Sequence, residues 1–329
     1  MVWFDEIFGS AQQWLFETLL QPLLFAAGLG QLLEEGYAAT GWLLVGLLQI
    51  AVLLAVIGPL QRWRPAEPVT DQAAIRTDIL YTLIHRLGLF RIALFFSVEP
   101  LFDALAGGLR LAGFSPFHLD QAWPGITDVP WVALLLYLLV FDFVDYWIHR
   151  GQHQLRWWWS LHSLHHAQRQ MTMWSDNRNH LLDDLARDSL LVLLAQLIGV
   201  APGQFVAIVA ITQLSESLQH ANLRLDFGRW GARLWVSPRF HRLHHSVGIG
   251  HEFAPLDLEE AGRARRAPRL GGHNFGVLLP WWDMLFRTAN FDARCGPTGV
   301  RDQVEQGRDY GRGFWSQQWL GLKRLAGRG

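Results

Sequence analysis

The chain has 329 residues, half of them hydrophobic, with 17% charged side chains, 14 His, 17 Trp and a formal net charge of −1. That apolar content excludes disorder, and the single cysteine, Cys295, excludes an internal disulfide framework. A near-neutral balance argues against a general nucleic-acid binder, whereas abundant Trp and His suit a membrane chain with a metal site.

About 20 mostly apolar residues suffice to cross a bilayer as a helix. Leu15 to Leu33 is either a span or an amphipathic helix lying in the interface, since Glu17, Gln21 and Gln31 interrupt it. Gly41 to Leu60 carries no charge and is the clearest span. Ile79 to Leu101 is apolar but holds His85, Arg86 and Arg91, which need a packed neighbour inside a membrane. Val129 to Ile148 is broken only by Asp142 and Asp145 near its end. Gly199, Pro202 and Gly203 interrupt Leu190 to Leu214, which predicts a helical hairpin that enters the membrane and returns.

No Lys or Arg precedes Arg62, and 17 of the 28 fall from Arg224 onward. By the positive-inside rule, Arg62, Arg64, His149 and the Arg-rich C-terminal part then lie in the cytoplasm. No basic segment followed by a short apolar core opens the chain, so no cleaved leader is expected. The expected fold is all-α: one polytopic integral membrane bundle with a histidine-rich dinuclear metal site in a helical cap on the cytoplasmic face. Within it, 1–127 would hold N-terminal spans, 128–288 the metal-binding core, and 289–329 a basic cytoplasmic tail. Trp157 to Trp159 and the Trp281, Trp282 pair read as interface anchors. The Arg263 to Arg269 cluster reads as a solvated or headgroup-facing segment.

Eleven of the 14 His lie between His149 and His251, in groups. His149 and His153 are four residues apart and share one helix face. His162, His165 and His166 form an HxxHH group, and His241, His244 and His245 form another. Eight imidazoles exceed what one four-coordinate zinc uses, so two metals are the economical reading. Imidazole suits iron, zinc, copper and nickel, while calcium and magnesium want oxygen ligands. Iron is preferred because a redox pair beside a bilayer can activate O2 next to an apolar substrate.

His220, one helical turn after Glu216, reads as a further ligand, with Glu216 beside it. His180 is either a ligand or a support for one, and is counted with the metal set. His85, His118, His251 and His273 read as packed polar groups. Asp145 shares the His149 face and suits an outer carboxylate that fixes an imidazole tautomer. Asp142 is either that or a helix-end charge.

The boxes HRGQH (from His149), HSLHH (from His162) and HRLHH (from His241) resemble those of the fatty acid hydroxylase/sterol desaturase superfamily, membrane di-iron oxygenases. Gln219-His220-Ala221-Asn222, Ser237 to His241, Asn274-Phe275-Gly276 and Trp282-Asp283-Met284-Leu285-Phe286 are similar to other stretches of that family, over roughly Asp142 to Thr288. Arg287 stands where the family usually has Gly, and Leu181 and Asp183 stand where many members have Pro and Glu. The resemblance implies that Asn222, Asn274 and Asp283 support the ligands. It further implies two Fe2+ ions (zinc an in vitro substitute), O2 and a membrane lipid substrate that is hydroxylated or desaturated. A separate cytoplasmic electron donor would serve a protein of, in a bacterium, the inner membrane. No flavin or nicotinamide fingerprint occurs. Two other classes compete: a metal transporter, which would distribute ligands through the membrane depth, and a zinc hydrolase with Glu216 as general base.

Overall fold

The computed structural model describes residues 2–251, 270–292 and 296–328. Cys295 and the Arg263 to Arg269 cluster lie outside them. Among the described residues the regular elements are all helical, with one isolated bridge, Ser246 to Thr298.

The N-terminal helix α1 (Val2–Leu15) runs through a π-turn into α2 (Gln21–Ala26) and ends at an irregular turn around Gly28. Leu15 to Leu33 is therefore not one continuous helix. The helix α3 (Leu33–Val52) joins α4 (Gly58–Trp63) through a second π-turn. Together they make a 34-residue helix, Gly30–Trp63, about 51 Å long at 1.5 Å per residue. It and α8 (Pro130–Gln154) are the two helices among the described residues that are long and apolar enough to cross a membrane.

The expected span from Ile79 to Leu101 is broken. Asp71 caps α5 (Gln72–Arg86) by accepting from the Ala74 N–H at 2.9 Å, and the helix stops at Gly88, where φ is +80°. The shorter helices α6 (Leu89–Ser97) and α7 (Glu99–Leu111) follow, with Pro100 in the first turn of α7. The reason is visible at Arg86, whose buried guanidinium reaches Asp176 at 2.8 Å, Ser217 at 3.0 Å and the Gln213 side chain at 2.5 Å. A cation fixed by three inward partners ends the helix inside the protein.

Beyond α8 the chain reverses at Leu155, in extended conformation, into α9 (Arg156–His166). The predicted hairpin forms as α10 (Leu181–Leu197) and α11 (Pro202–His220), with Gly199 at φ +68° in the turn and Pro202 at the start of α11. Short helices follow: α12 (Gly228–Gly231), α13 (Pro238–His244), α14 (Trp281–Leu285) and α15 (Arg301–Gln306). The last helix, α16 (Phe314–Leu325), packs on α9. The expected basic tail is thus folded onto the core, and Arg324 is buried, donating to Ser160 O at 3.1 Å.

One close approach sets how the long helix meets its neighbours. A methyl group on Gly46 would collide with the Arg86 carbonyl at the end of α5. Gly107, by contrast, has open space around it. Gly46→Val should therefore lower the melting temperature of the detergent-solubilised protein by several degrees, while Gly107→Val should leave it within about a degree. Equal melting of both variants would disprove the contact.

Candidate metal centre

Four helix segments bring the histidines together. His149 and His153 occupy the last turns of α8, and His162, His165 and His166 lie on α9. His220 ends α11, and α13 carries His241, His244 with His245 at its C-cap. Ser237 caps α13, accepting from the Phe240 N–H at 3.2 Å, and Pro238 opens it. The Ser-Pro lead-in thus fixes where that histidine helix starts.

All nine imidazoles are buried and form two adjoining groups. Donor atoms of His149, His153, His162 and His166 lie within 4.8 Å of one another, as do those of His165, His220, His241 and His245. His244 joins the first group, its Nε2 3.0 Å from His149 Nε2. Each pair spaced four residues apart serves one group, while the remaining His of each HxxHH box crosses to the other. His166 and His245, stacked at 4.3 Å, mark the seam.

Backbone acceptors fix the tautomers. His149 Nδ1–H donates to Phe275 O at 2.9 Å, His244 Nδ1–H to His273 O at 2.7 Å, and His220 Nδ1–H to Glu216 O at 2.8 Å. A carbonyl only accepts, so each Nδ1 carries the proton and each Nε2 presents a lone pair. The Nε2 atoms of His149 and His244 therefore face each other 3.0 Å apart with no hydrogen between them. His220 Nε2 likewise faces His165 and His241, both at 3.1 Å. Converging lone pairs repel unless a cation lies among them, so this donor set fits two bound metal ions. Five nitrogens on one side and four on the other leave coordination positions open in six-coordinate geometry.

Burial pushes His165, His166, His241, His244 and His245 well below the ordinary value of 6.5, and neighbouring imidazoles push the same way. They are neutral at physiological pH, as metal ligands must be.

Behind the ligands the structure departs from the expected partners. Asp145 does not touch His149. Its carboxylate takes a two-pronged bond from Arg187, at 2.9 and 2.5 Å, and Arg187 also reaches Glu216 at 3.2 Å. Asp142 accepts from the Leu278 and Leu279 N–H groups and from Trp282 Nε1, and so pins the 274–282 loop to α8. The carboxylate that does reach a candidate ligand is Asp183, to which the sequence alone assigns no role. Its Oδ2 accepts from His162 Nδ1 at 2.8 Å, and its Oδ1 from Gln152 and Trp158, both at 2.7 Å. Its signals in the sequence are two adjacent acids in the first turn of α10 and its place where many family members have Glu.

His180 stands apart from both groups. Its Nδ1 accepts from the Leu182 N–H at 3.1 Å as the N-cap of α10, and its Nε2–H donates to Gln318 O at 2.9 Å. A Cβ on Gly321 would collide with the ring. With both nitrogens engaged, His180 caps α10 and docks α16, and has no lone pair left for a metal. His251, expected as a packed polar group, is buried with its ring centroid 4.4 Å from His166. His273 contributes its carbonyl to His244, and its own ring bonds Ile249 O at 3.2 Å. His85 pairs with Asp184 at 3.0 Å, and His118 lies by the Gly199 turn.

Asn274 and Asp283 hold the loop that supplies the carbonyls. Asp283 accepts from the Phe275 and Gly276 N–H groups at 2.9 and 2.7 Å and from Thr288 Oγ1 at 2.6 Å. Asn274, at φ +65°, donates to Phe240 O and Asn290 O. Asn222 serves farther out, accepting from the Ala66 and Glu67 N–H groups and tying the α4–α5 connection to the end of α11. Arg287 adopts φ +59°, the left-handed conformation that makes Gly the easier residue at that position.

Two outcomes follow. Asp183→Asn should weaken metal retention about 10- to 100-fold in a chelator competition, whereas Asp145→Asn, whose carboxylate bonds Arg187 and no imidazole, should not. An unchanged Asp183→Asn would remove its assigned role. Acid should also destabilise the protein. The unfolded histidines protonate near 6.5 and the folded ones only well below it, so stability present above that pH is lost as pH falls. Melting temperature and metal content should drop together between about pH 7 and 5; a rise would contradict the neutral cluster.

Residues 134–288, just under half of the chain, match the fatty acid hydroxylase family model. An ornithine lipid hydroxylase of Rhizobium tropici is 27% identical over 258 residues, which cover 77% of this chain and 70% of that protein. An alkylglycerol monooxygenase of Caenorhabditis elegans is 24% identical over 194 residues, 58% of this chain and 34% of the relative. No solved structure matches. The matches support the fatty acid hydroxylase/sterol desaturase superfamily that the histidine boxes resemble.

Proposed function

We propose that the protein is an integral membrane hydroxylase that uses two iron ions and O2 to insert one oxygen atom into a C–H bond of a membrane lipid. The observation that carries this reading is the pairing of two fixed-tautomer imidazole groups with an adjoining cavity. That cavity, about 430 Å³, is lined mainly by apolar side chains, and it touches α8 at Asp145 and α11 at Glu216, each one helical turn before a candidate ligand. A volume of this size lies in the range of small-molecule sites.

When bound, the iron pair would supply O2 activation. The balance is C–H + O2 + 2 e− + 2 H+ giving C–OH + H2O, with the electrons from a separate cytoplasmic one-electron donor. His149, His153, His162, His166 and His244 would hold one ion, and His165, His220, His241 and His245 the other. The protein's own contribution is geometric. Carbonyls and Asp183 aim the imidazoles, Asp283 and Asn274 hold the carbonyls in place, and the apolar helices keep water from the reacting carbon. In this reading Gly30–Trp63, α8 and the α10–α11 hairpin lie in the membrane, with the metal face cytoplasmic and 128–288 as its core. The ornithine lipid hydroxylase relative makes an amino-acid-headed lipid a substrate to try first.

Protein purified without added metal should hold about two ions per chain; one or none would remove the dinuclear site. His165→Ala and His244→Ala, one from each group, should each abolish turnover while the protein remains in the membrane. Lipids from cells carrying the wild-type protein should gain a species heavier by one oxygen atom. An unchanged lipid profile with metal flux would favour a transporter, and release of lipid fragments would favour a hydrolase.

A further inference from the structure

The helix α16 is turned inside out. Its buried side carries Phe314, Gln317, Gln318, Gly321 and Arg324. Trp315, Trp319 and Leu322, spaced four and three residues apart, share the opposite face, with Trp315 80% and Trp319 59% exposed. A helix on a water-facing surface has the reverse order, apolar side in and polar side out. The inward polar groups are engaged. Gln318 donates to Tyr81 Oη at 2.9 Å and to Asn179 O at 3.0 Å, and accepts from the Leu181 N–H at 2.9 Å. Arg324 donates to Ser160 O at 3.1 Å, its guanidinium 4.4 Å from the centre of the Tyr310 ring. Bonds to α5, α9 and the start of α10 thus fix α16 about its own axis, with its Trp face outward.

Depth along the bundle says what lies outside. On α5 the partner of α16 is Tyr81, whose ring also meets Phe314 at 4.9 Å. One residue on, Thr82 donates to Trp174 O at 3.2 Å, and Trp174 packs with Leu53 and Ile57. Five residues on, about 7 Å along the helix, the Arg86 carbonyl abuts Gly46. Gly46, Leu53 and Ile57 all belong to the uncharged segment from Gly41 to Leu60. Tyr81, and with it the start of α16, is therefore level with that segment rather than beyond its end. Charge follows the same order. From Tyr310 to Gly329 the chain has four basic residues and no acidic one. Arg324 points inward, while Lys323, 5.7 Å from the Trp319 ring centre, and Arg328 are exposed. Trp and Leu on one face with bases at its edge are the make-up of a helix lying in a membrane interface.

We propose that α16 lies in the cytoplasmic interface of the bilayer, with Trp315, Trp319 and Leu322 toward the acyl chains and Lys323 and Arg328 at its polar edge. The proposal rests on the membrane reading of Gly30–Trp63 given above. It adds a second attachment, made by a helix too short to span. Because α16 packs on α9, which carries His162, His165 and His166, the bilayer surface would hold the candidate metal helices at a set height over the spans. A protein partner could cover the same Trp face, but it would exclude lipid and water alike.

A nitroxide scan separates these cases. Cys295→Ser provides a background without cysteine. Into it go, one at a time, Trp319→Cys, Leu322→Cys and, on the long helix, Leu54→Cys, each at an exposed position. The labelled full-length protein is reconstituted in vesicles of phosphatidylcholine and phosphatidylglycerol. At positions 319 and 322 the label should collide severalfold more often with O2, which concentrates among acyl chains, than with a water-soluble nickel chelate. Two positions keep the result from hanging on one variant folding. Preference for the nickel chelate at both would overturn the proposal, and so would shielding from both reagents, the mark of a protein interface. Position 54 tests the reading underneath. Preference for O2 there with α16 solvated keeps the span and removes the placement of α16, whereas nickel access at 54 removes the span and the proposal together.

Discussion

Two imidazole lone pairs meeting at 3.0 Å, from His149 and His244, express the constraint on which this structure depends. Nine neutral rings can be packed together only if their protons are directed outward and their lone pairs share positive charge. For four of the rings, His149, His162, His220 and His244, the proton goes to a group that cannot move easily: the carbonyls of Phe275, Glu216 and His273, and the Asp183 carboxylate. Two of these carbonyls sit on one loop, and that loop is held by Asp283 and Asn274 from below and by Asp142 from α8. A side chain two hydrogen bonds from a ligand therefore still sets the direction of an Nε2 atom. Rigidity is what a metal site gains from such support.

The same need explains why the interior is so polar in a chain that is half hydrophobic. Arg86 with Asp176 and Arg178 with Asp78 are buried ion pairs, Arg187 with Asp145 is a part-buried one, and each links distant segments of the chain. Each is costly to desolvate, and replacing them with apolar residues would be no loss to stability alone. Their value is positional. Arg178 and Arg86 tie the segment between α9 and α10 to α5, and Arg187 joins α8, α10 and α11 just beneath the histidines. An apolar contact is non-directional and would let these helices slide; a two-pronged guanidinium bond fixes their register.

Local periodicity explains what the sequence made legible. His149 and His153, the two HxxHH boxes, the α10–α11 hairpin and the uncharged part of the long helix all follow from spacings of three or four residues, or from Gly and Pro at a turn. What escaped depends on long-range partners. Asp145 was assigned to His149 by face alone, but Arg187, 42 positions away, claims it. Asp183 reaches His162 across 21 positions. His180 looked like a ligand because of its type, and its role as N-cap needed the position of α16, 138 residues on. The span expected through Ile79 to Leu101 failed because Arg86 finds an anion inside the protein, which no hydropathy window can register.

This division also separates chemistry from specificity. The residues proposed to hold metal sit on α8, α9, α11 and α13, in motifs that resemble those of a whole superfamily, and in the proposed reading they set the reaction class. The cavity is lined largely by other residues of α8, α10 and α11 and by α3 and α6, helices with no histidine box. Nothing in the boxes constrains those positions beyond being compatible with a buried helix. A cavity wall can therefore exchange leucine for aspartate, as on α10 between Leu191 and Asp188, without disturbing an Nε2 atom. On the proposed function, the reaction can stay fixed while the lipid that fits the cavity changes with a few side chains.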